Sequence, residues 1–115
     1  MITEEIKENK YIEERATLGL CDVVFESEAN KEDVKNILKT LNKANKALEV
    51  LDFEERIVID NESCDVEDMD GEYVVYTTNL LDGENDYYTN CISLFNLADE
   101  VNAVLASVIS EKLGN

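Results

Sequence analysis

The chain has 115 residues, a net charge of −17 from 27 acidic and 10 basic side chains, and a hydrophobic fraction of 44%. That hydrophobic fraction is enough to bury a core without disulfides or metal, so the acidity does not indicate a disordered tail. The charge disfavours direct binding to nucleic acid or to an anionic membrane surface, because both would repel the protein. Self-repulsion also lowers stability, which indicates either a demand for solubility or a positively charged partner.

Targeting signals and linkers are not evident in the sequence. No apolar run approaches the ~18 residues of a membrane span, and the N-terminus lacks the basic and apolar regions of a signal peptide. Cys21, Cys64 and Cys91 are widely separated and form no C-x-x-C pair, which favours reduced thiols and a cytoplasmic protein. The chain has no proline and four glycines, so residues 1–115 are predicted to form a single domain.

The first segment predicts a helix followed by a short strand. Residues 3–18 have helical spacing of apolar side chains, with Thr3 as a cap and Gly19 as the stop. Cys21–Glu26 contains two valines and a phenylalanine in succession, a composition that favours a strand.

The second helix has the clearest periodicity in the sequence. Asn30 is suited to the N-cap, and acidic residues follow it in the first turn. About six turns of helix then place one apolar residue set on a single face. These residues are Val34, Ile37, Leu38, Leu41, Ala44, Leu48 and Leu51.

Three further strands are predicted downstream. Glu55–Asp60 and Glu72–Thr78 are rich in β-branched or aromatic residues, and the mostly acidic segment between them is expected to be a hairpin loop. Asp82–Asn85 predicts a turn, after which Tyr87–Ile92 could form another strand.

The C-terminal segment predicts a helix, with Ser93 as its cap and Gly114 after its end. The element order is therefore α-β-α-β-β-(β)-α, an α+β fold with an antiparallel sheet of three to four strands and three helices. The apolar face of the last helix contains Leu94, Leu97, Ala98, Val101, Val104, Leu105 and Val108.

The residues that most catalytic sites need are missing. There is no histidine, no phosphate-binding glycine loop and no nucleophile elbow, so we predict no enzymatic activity, no cofactor and no metal site. The segment 65–71 is superficially similar to a calcium loop. An EF-hand alignment fails, however, because Val66 and Thr77 occupy the first and last ligand positions. Weak cation binding by this acidic segment and a simple solvated loop both remain open.

Charge is unevenly distributed along the chain. Asp52–Glu72 carries ten acids and one arginine, whereas Lys31–Leu51 has a net charge of +2. The five lysines of the latter segment fall on one side of the predicted helix. They indicate either a solvated face or a charge-polarised domain with a basic helix and an acidic hairpin.

The acidic hairpin is the predicted partner-binding site. Same-face side chains on a strand lie about 6.6 Å apart, and one DNA strand carries a charge about every 3.4 Å. Acids on two neighbouring strands or turns could therefore approach the charge density of one phosphate strand. The predicted binding residues are Glu62, Asp65, Glu67, Asp68, Asp70, Glu72, Asp82, Glu84 and Asp86.

In size, acidity and lack of catalytic groups, the chain resembles small phage-encoded inhibitors that imitate nucleic acid. That class includes anti-restriction proteins, anti-CRISPR proteins and DNA-glycosylase inhibitors. The resemblance implies a basic partner, such as a nuclease, whose nucleic-acid channel the inhibitor occupies in the host cytoplasm. The alternatives are a non-catalytic adaptor that binds through apolar and tyrosine side chains, and a small enzyme or cation-binding domain.

Overall fold

A computed structural model describes residues 2–26, 28–60, 66–69 and 72–114, with the backbone alone for 23–26, 28–29, 66–69 and 72. Within these residues it confirms the predicted α+β class. The helices are α1 (Ile2–Glu8), α2 (Glu14–Glu26), α3 (Glu28–Val50) and α4 (Leu94–Leu113). The strands are β1 (Arg56–Asp60), β2 (Val66–Met69), β3 (Glu72–Val75), β4 (Thr78–Asp82), β5 (Tyr88–Thr89) and β6 (Ile92–Ser93).

The described strands form two antiparallel sheets rather than the one sheet predicted. Their orders are β1-β4-β5 and β2-β3-β6, each three-stranded. The order of elements along the chain is roughly as expected, but the described residues form four helices instead of three.

The predicted helix over 3–18 is interrupted by the segment 9–13, which lies along β1. The Asn9 side chain accepts a hydrogen bond from the Tyr11 backbone N–H at 2.9 Å, an Asx turn that competes with the helix. The Ile59 N–H donates to the Tyr11 carbonyl at 2.9 Å, and the Glu13 N–H donates to the Ile59 carbonyl at 3.0 Å. The segment therefore makes strand-like hydrogen bonds with β1 that it could not make as part of a continuous helix. Thr3, predicted as the cap of this helix, lies inside α1.

The predicted strand Cys21–Glu26 is wrong, because these residues form the last turns of α2. Ala16 and Leu20, four residues apart, are buried at 2% and 1% exposure. Burial of residues at this helical spacing stabilises α2. This packing outweighs the β propensity of the residues at 23–25. Gly19 consequently lies within α2 and does not end it.

The long helix α3 has the predicted buried face, from Val34 to Leu48. It begins at Glu28, so Asn30 lies inside it. Its end is a Schellman-type turn, in which the Phe53 N–H donates to the Leu48 carbonyl at 3.0 Å. Asp52 adopts the left-handed conformation of that turn, with φ of 61°, a conformation that Asp tolerates better than most residues.

The predicted hairpin between the strands at 55–60 and 72–78 is wrong. β1 pairs with β4, with Arg56 opposite Asp82, while β3 pairs with β2, with Val75 opposite Val66. Part of the predicted loop is thus β2, and the rest of it lies outside the described residues. The run that was predicted as one strand ends at Val75, and the chain enters the other sheet at Thr78.

The remaining C-terminal elements are largely as predicted. The strand expected over 87–92 is divided into β5 and β6, which belong to different sheets. Gly114 follows α4 and its N–H donates to the Ser110 carbonyl at 2.7 Å, whereas the Ser93 side chain makes no capping hydrogen bond. The apolar face of α4 is buried, apart from the half-buried Leu105, and packs with α1, α2, α3 and both sheets in one core cluster.

Candidate acidic interface

Six of the nine predicted binding residues belong to the segment between β1 and β3. Glu62, Asp65 and Asp70 lie outside the described residues. The backbones of Glu67, Asp68 and Glu72 lie in the paired strands β2 and β3, where they face Val74, Tyr73 and Met69 in register. Their positions are therefore in the β2-β3-β6 sheet.

The other three predicted acids belong to the second sheet. Asp82 ends β4, and Glu84 and Asp86 follow in the turn toward β5; all three are exposed. The Asp86 carboxylate accepts hydrogen bonds from the Asn79 side-chain amide at 3.0 Å and the Tyr88 hydroxyl at 3.4 Å. The described members of the predicted face are thus divided between two sheets.

Acids from distant segments lie beside this turn. A Cβ at Gly83 would lie 2.8 Å from the Glu55 Cγ, so the absence of a side chain at residue 83 permits this approach. The Asn85 side-chain amide lies 3.5 Å from a Glu111 carboxylate oxygen. We define the acidic cluster by its members Glu54, Glu55, Asp82, Glu84, Asp86 and Glu111.

Glu54, Glu55 and Glu111 are not among the binding residues that the sequence predicts. Glu54 and Glu55 lie within the acidic segment Asp52–Glu72. The alternation of residues in the predicted strand does not indicate that they contact the turn at 82–86. Glu111 is far from that turn in the chain, and only the packing of α4 brings it there. No local signal identifies such a residue.

An ion pair between Lys112 and Glu55 lies inside the acidic cluster. The Lys112 ammonium is 2.8 Å from a Glu55 carboxylate oxygen, and the Glu55 side chain is 10% exposed. The hydrogen bond with Lys112, aided by nearby backbone N–H groups, lowers the pKa of Glu55. The same hydrogen bond, with further charge from Glu84 and Glu54, raises the pKa of Lys112.

Two helices end near the acidic cluster. Lys112, in the last turn of α4, lies 5.9 Å from the centre of the Phe53 ring, just beyond the end of α3. Helix C-termini carry partial negative charge from unpaired carbonyls, which adds to the field of the carboxylates. Arg56 contributes positive charge nearby, where its guanidinium donates to the carbonyls of Phe53 and Glu55 at 2.6 and 2.7 Å.

The tyrosines near the acidic residues differ in their exposure. Tyr73, Tyr76 and Tyr87 are half-buried. The Tyr87 hydroxyl donates to a Glu100 carboxylate oxygen at 2.8 Å, and this hydrogen bond raises the pKa of Tyr87. Tyr88, at 52% exposure, presents an aromatic ring beside the acidic cluster.

The described residues contain no group of three carboxylates or thiols placed to hold a metal ion. None of the helices they form combines the length and apolarity needed to cross a membrane. No family model, curated protein or solved structure matches the chain.

Proposed function

We propose that the acidic cluster binds the basic, nucleic-acid-binding surface of a partner protein and so excludes the nucleic acid. The observation that supports this proposal is the convergence of three separate segments. The turn at 82–86, Glu54 before β1 and Glu111 in the last turn of α4 all present carboxylates on one part of the surface, around the ion pair between the buried Glu55 and Lys112. The protein would thereby act as an inhibitor of the anti-restriction or anti-CRISPR type, in the cytoplasm of the host cell if a phage encodes it.

The number of carboxylates is comparable to the number of phosphates on a DNA duplex of the same length. The longest dimension of the molecule is 44 Å, so its 27 acids amount to about one carboxylate per 1.6 Å, close to the one charge per ~1.7 Å of duplex DNA. The net charge, after the basic residues are counted, is about one per 2.6 Å. Lysines and arginines arranged for phosphates would meet a comparable field, which accelerates association.

Capture from cell lysate, followed by competition with DNA, tests the proposal. The captured partner should be a nucleic-acid-binding protein, and its capture should weaken as salt is raised. The purified partner, bound to a fluorescent duplex, should release that duplex when this protein is added, as measured by fluorescence anisotropy. A partner that holds the duplex and this protein at the same time would overturn the proposal.

Matched variants locate the binding surface. Asp82→Asn, Glu84→Gln and Asp86→Asn together remove three charges from the acidic cluster, and we expect at least tenfold weaker binding, about 1.4 kcal/mol. The control removes three exposed acids elsewhere, through Glu13→Gln, Glu14→Gln and Asp22→Asn. Equal loss in the two variants would mean that net charge, and not this cluster, determines binding.

The predicted acids between β1 and β3 require a separate variant. Charge reversal at Asp65, Glu67, Asp68 and Asp70 should weaken binding further if both sheets contribute to the face. If this variant folds and binds the partner with unchanged affinity, the interface is limited to the acidic cluster.

A second candidate function, an adaptor that binds through apolar side chains, is favoured by the exposed ends of two helices. Val50 at the end of α3 is 72% exposed and Leu113 at the end of α4 is 65% exposed. This function predicts binding that is insensitive to salt and is lost on Val50→Ser with Leu113→Ser. The inhibitor function predicts the opposite outcome on both measurements.

A further inference from the structure

The lysines of α3 form a local positive region in a strongly acidic protein. Four lysines occur between residues 35 and 46, and no acid occurs on α3 between Val34 and Leu48. The outer two pair with acids three residues away, Lys35 with Glu32 at 3.9 Å and Lys46 with Glu49 at 3.7 Å.

The inner two, Lys39 and Lys43, make no ion pair within the part of the chain that the structure describes. They are exposed and four residues apart, so their ammonium groups lie on the same side of the helix and repel each other. An anion placed between them would remove this unfavourable interaction.

Lys39 and Lys43 border an open cleft between α3 and α4, with a volume of about 430 Å³. Asn36 and Thr40 from α3 and Asn102 from α4 complete its polar rim. Amide and hydroxyl donors next to two ammonium groups are the side chains that bind phosphate or carboxylate oxygens.

The floor of the cleft is apolar. Ala44 and Ala47 from α3 and Leu105 from α4 line it. The two alanines leave space between the helices, and Leu105 is half-buried, with part of its side chain at the surface. An apolar group in the cleft would remove this surface from water.

We propose that this cleft binds a small organic anion, with its phosphate or carboxylate group between Lys39 and Lys43 and its apolar body against Leu105. The site is distinct from the acidic cluster, so the two proposals stand or fall separately. A compact ligand of low charge suits it, because the −17 field of the whole protein opposes the approach of a polyanion. The volume lies within the usual range for small-molecule sites.

Titration with phenyl phosphate, followed by ¹⁵N–¹H NMR at constant ionic strength, tests the site. We expect saturable shifts of the side-chain amides of Asn36 and Asn102 and of the Thr40 backbone amide. Inorganic phosphate should bind more weakly, since it has no apolar body, and phenol should not bind. Shifts that fail to saturate, or equal affinity for the two phosphates, would overturn the proposal.

Two variants with the same net charge separate the site from general electrostatics. Lys39→Gln with Lys43→Gln should weaken phenyl phosphate binding by at least about tenfold. Lys35→Gln with Lys46→Gln removes two lysines that do not line the cleft and should leave the affinity within about twofold. A similar loss in both would refute the assignment.

The apolar floor can be tested with the charges intact. Ala47→Met places a larger side chain in the cleft and should weaken phenyl phosphate binding while preserving the weaker binding of inorganic phosphate. Unchanged affinity for phenyl phosphate in the folded Ala47→Met variant would contradict the proposed position of the apolar body.

Discussion

Asn45 is a buried polar residue that joins α3 to β1. Its side-chain amide donates to the carbonyls of Ile57 and Leu41 at 2.7 and 3.1 Å, and its carbonyl oxygen accepts from the Ile57 N–H at 2.7 Å. Asn45 therefore pairs with the backbone of β1 on the edge away from β4. The sequence around Asn45 does not predict this contact with β1, because the apolar periodicity of α3 identifies only the hydrophobic core positions.

Truncation of Asn45 should be strongly destabilising. Asn45→Ala leaves the Ile57 N–H and carbonyl buried without their partner, at a cost of about 3 kcal/mol. Urea denaturation monitored by circular dichroism measures this loss. Asn42→Ala is the matched control, since the exposed Asn42 bonds only to the Asn9 side chain among the described contacts, and its effect should be below ~0.5 kcal/mol. Similar midpoints for the two variants would contradict the role of Asn45.

Glu55 should make stability depend on pH in the acid range. Its pKa in the folded protein lies below the ordinary value of 4.5, so its contribution is present above that pH and is lost as pH falls through the folded-state pKa. Glu55→Gln should therefore lower the urea midpoint at pH 7, and its difference from the unaltered protein should shrink below about pH 4.

The exposed neighbour Glu54 is the control for this pH dependence. Glu54→Gln retains the Glu55–Lys112 ion pair and should change the midpoint little at either pH. A Glu55→Gln effect that stays constant from pH 7 to pH 3 would show that the ionised carboxylate is not what stabilises the fold.

At the scale of elements, the segment 9–13 acts as an edge strand for β1. Ile12 forms a parallel bridge with Ile59 and is buried at 8% exposure. The segment then enters α2, since the Glu13 carbonyl accepts from the Thr17 N–H at 2.9 Å. The same residues thus end the pairing with β1 and begin a helix.

Proline substitution at two successive positions tests this arrangement. Glu13→Pro removes the N–H that donates to Ile59 and should cost about 2 kcal/mol. Glu14→Pro places proline at the first helical position, where no intrahelical hydrogen bond is lost, and should be nearly neutral. Chemical denaturation measures both effects. A Glu14→Pro variant as unstable as Glu13→Pro would mean that the strand pairing contributes little.

At the scale of the whole molecule, the charge of −17 acts within dimensions of 44 × 26 × 21 Å. The screening length is about 30 Å at 0.01 M salt and about 8 Å at 0.15 M. Repulsion therefore extends across most of the molecule at low salt and is confined to neighbouring groups at physiological salt.

Added salt should consequently stabilise the protein. We expect the Tm to rise as sodium chloride is increased from 10 to 150 mM, by about 4 °C or more for each kcal/mol gained. Differential scanning calorimetry at pH 7 measures the rise. Lys39→Gln with Lys43→Gln makes the net charge more negative and should steepen the salt dependence. A Tm that falls with salt would show that local ion pairs outweigh the net repulsion.

The two long helices were predictable from the sequence because their signal is local. The apolar residues of α3 and α4 recur with helical spacing, and nearly all of them are buried. The exposed Leu51 lies just beyond α3, where the helix has ended. The position of β1 was also predicted, since a run of β-branched residues needs only nearby turns to define it.

The pairing of strands and the membership of the site were decided by tertiary structure. Val23 and Val24 lie in a helix because α2 packs on the core, and β1 pairs with β4 because sheet partners are chosen by distant contacts. The sequence by itself determined that the protein is acidic, and that the segment Asp52–Glu72 carries more than half of its net charge. Only the packing of α4 against the turn at 82–86 determined which acids lie together, since it brings Glu111 and Lys112 to Glu55 and that turn.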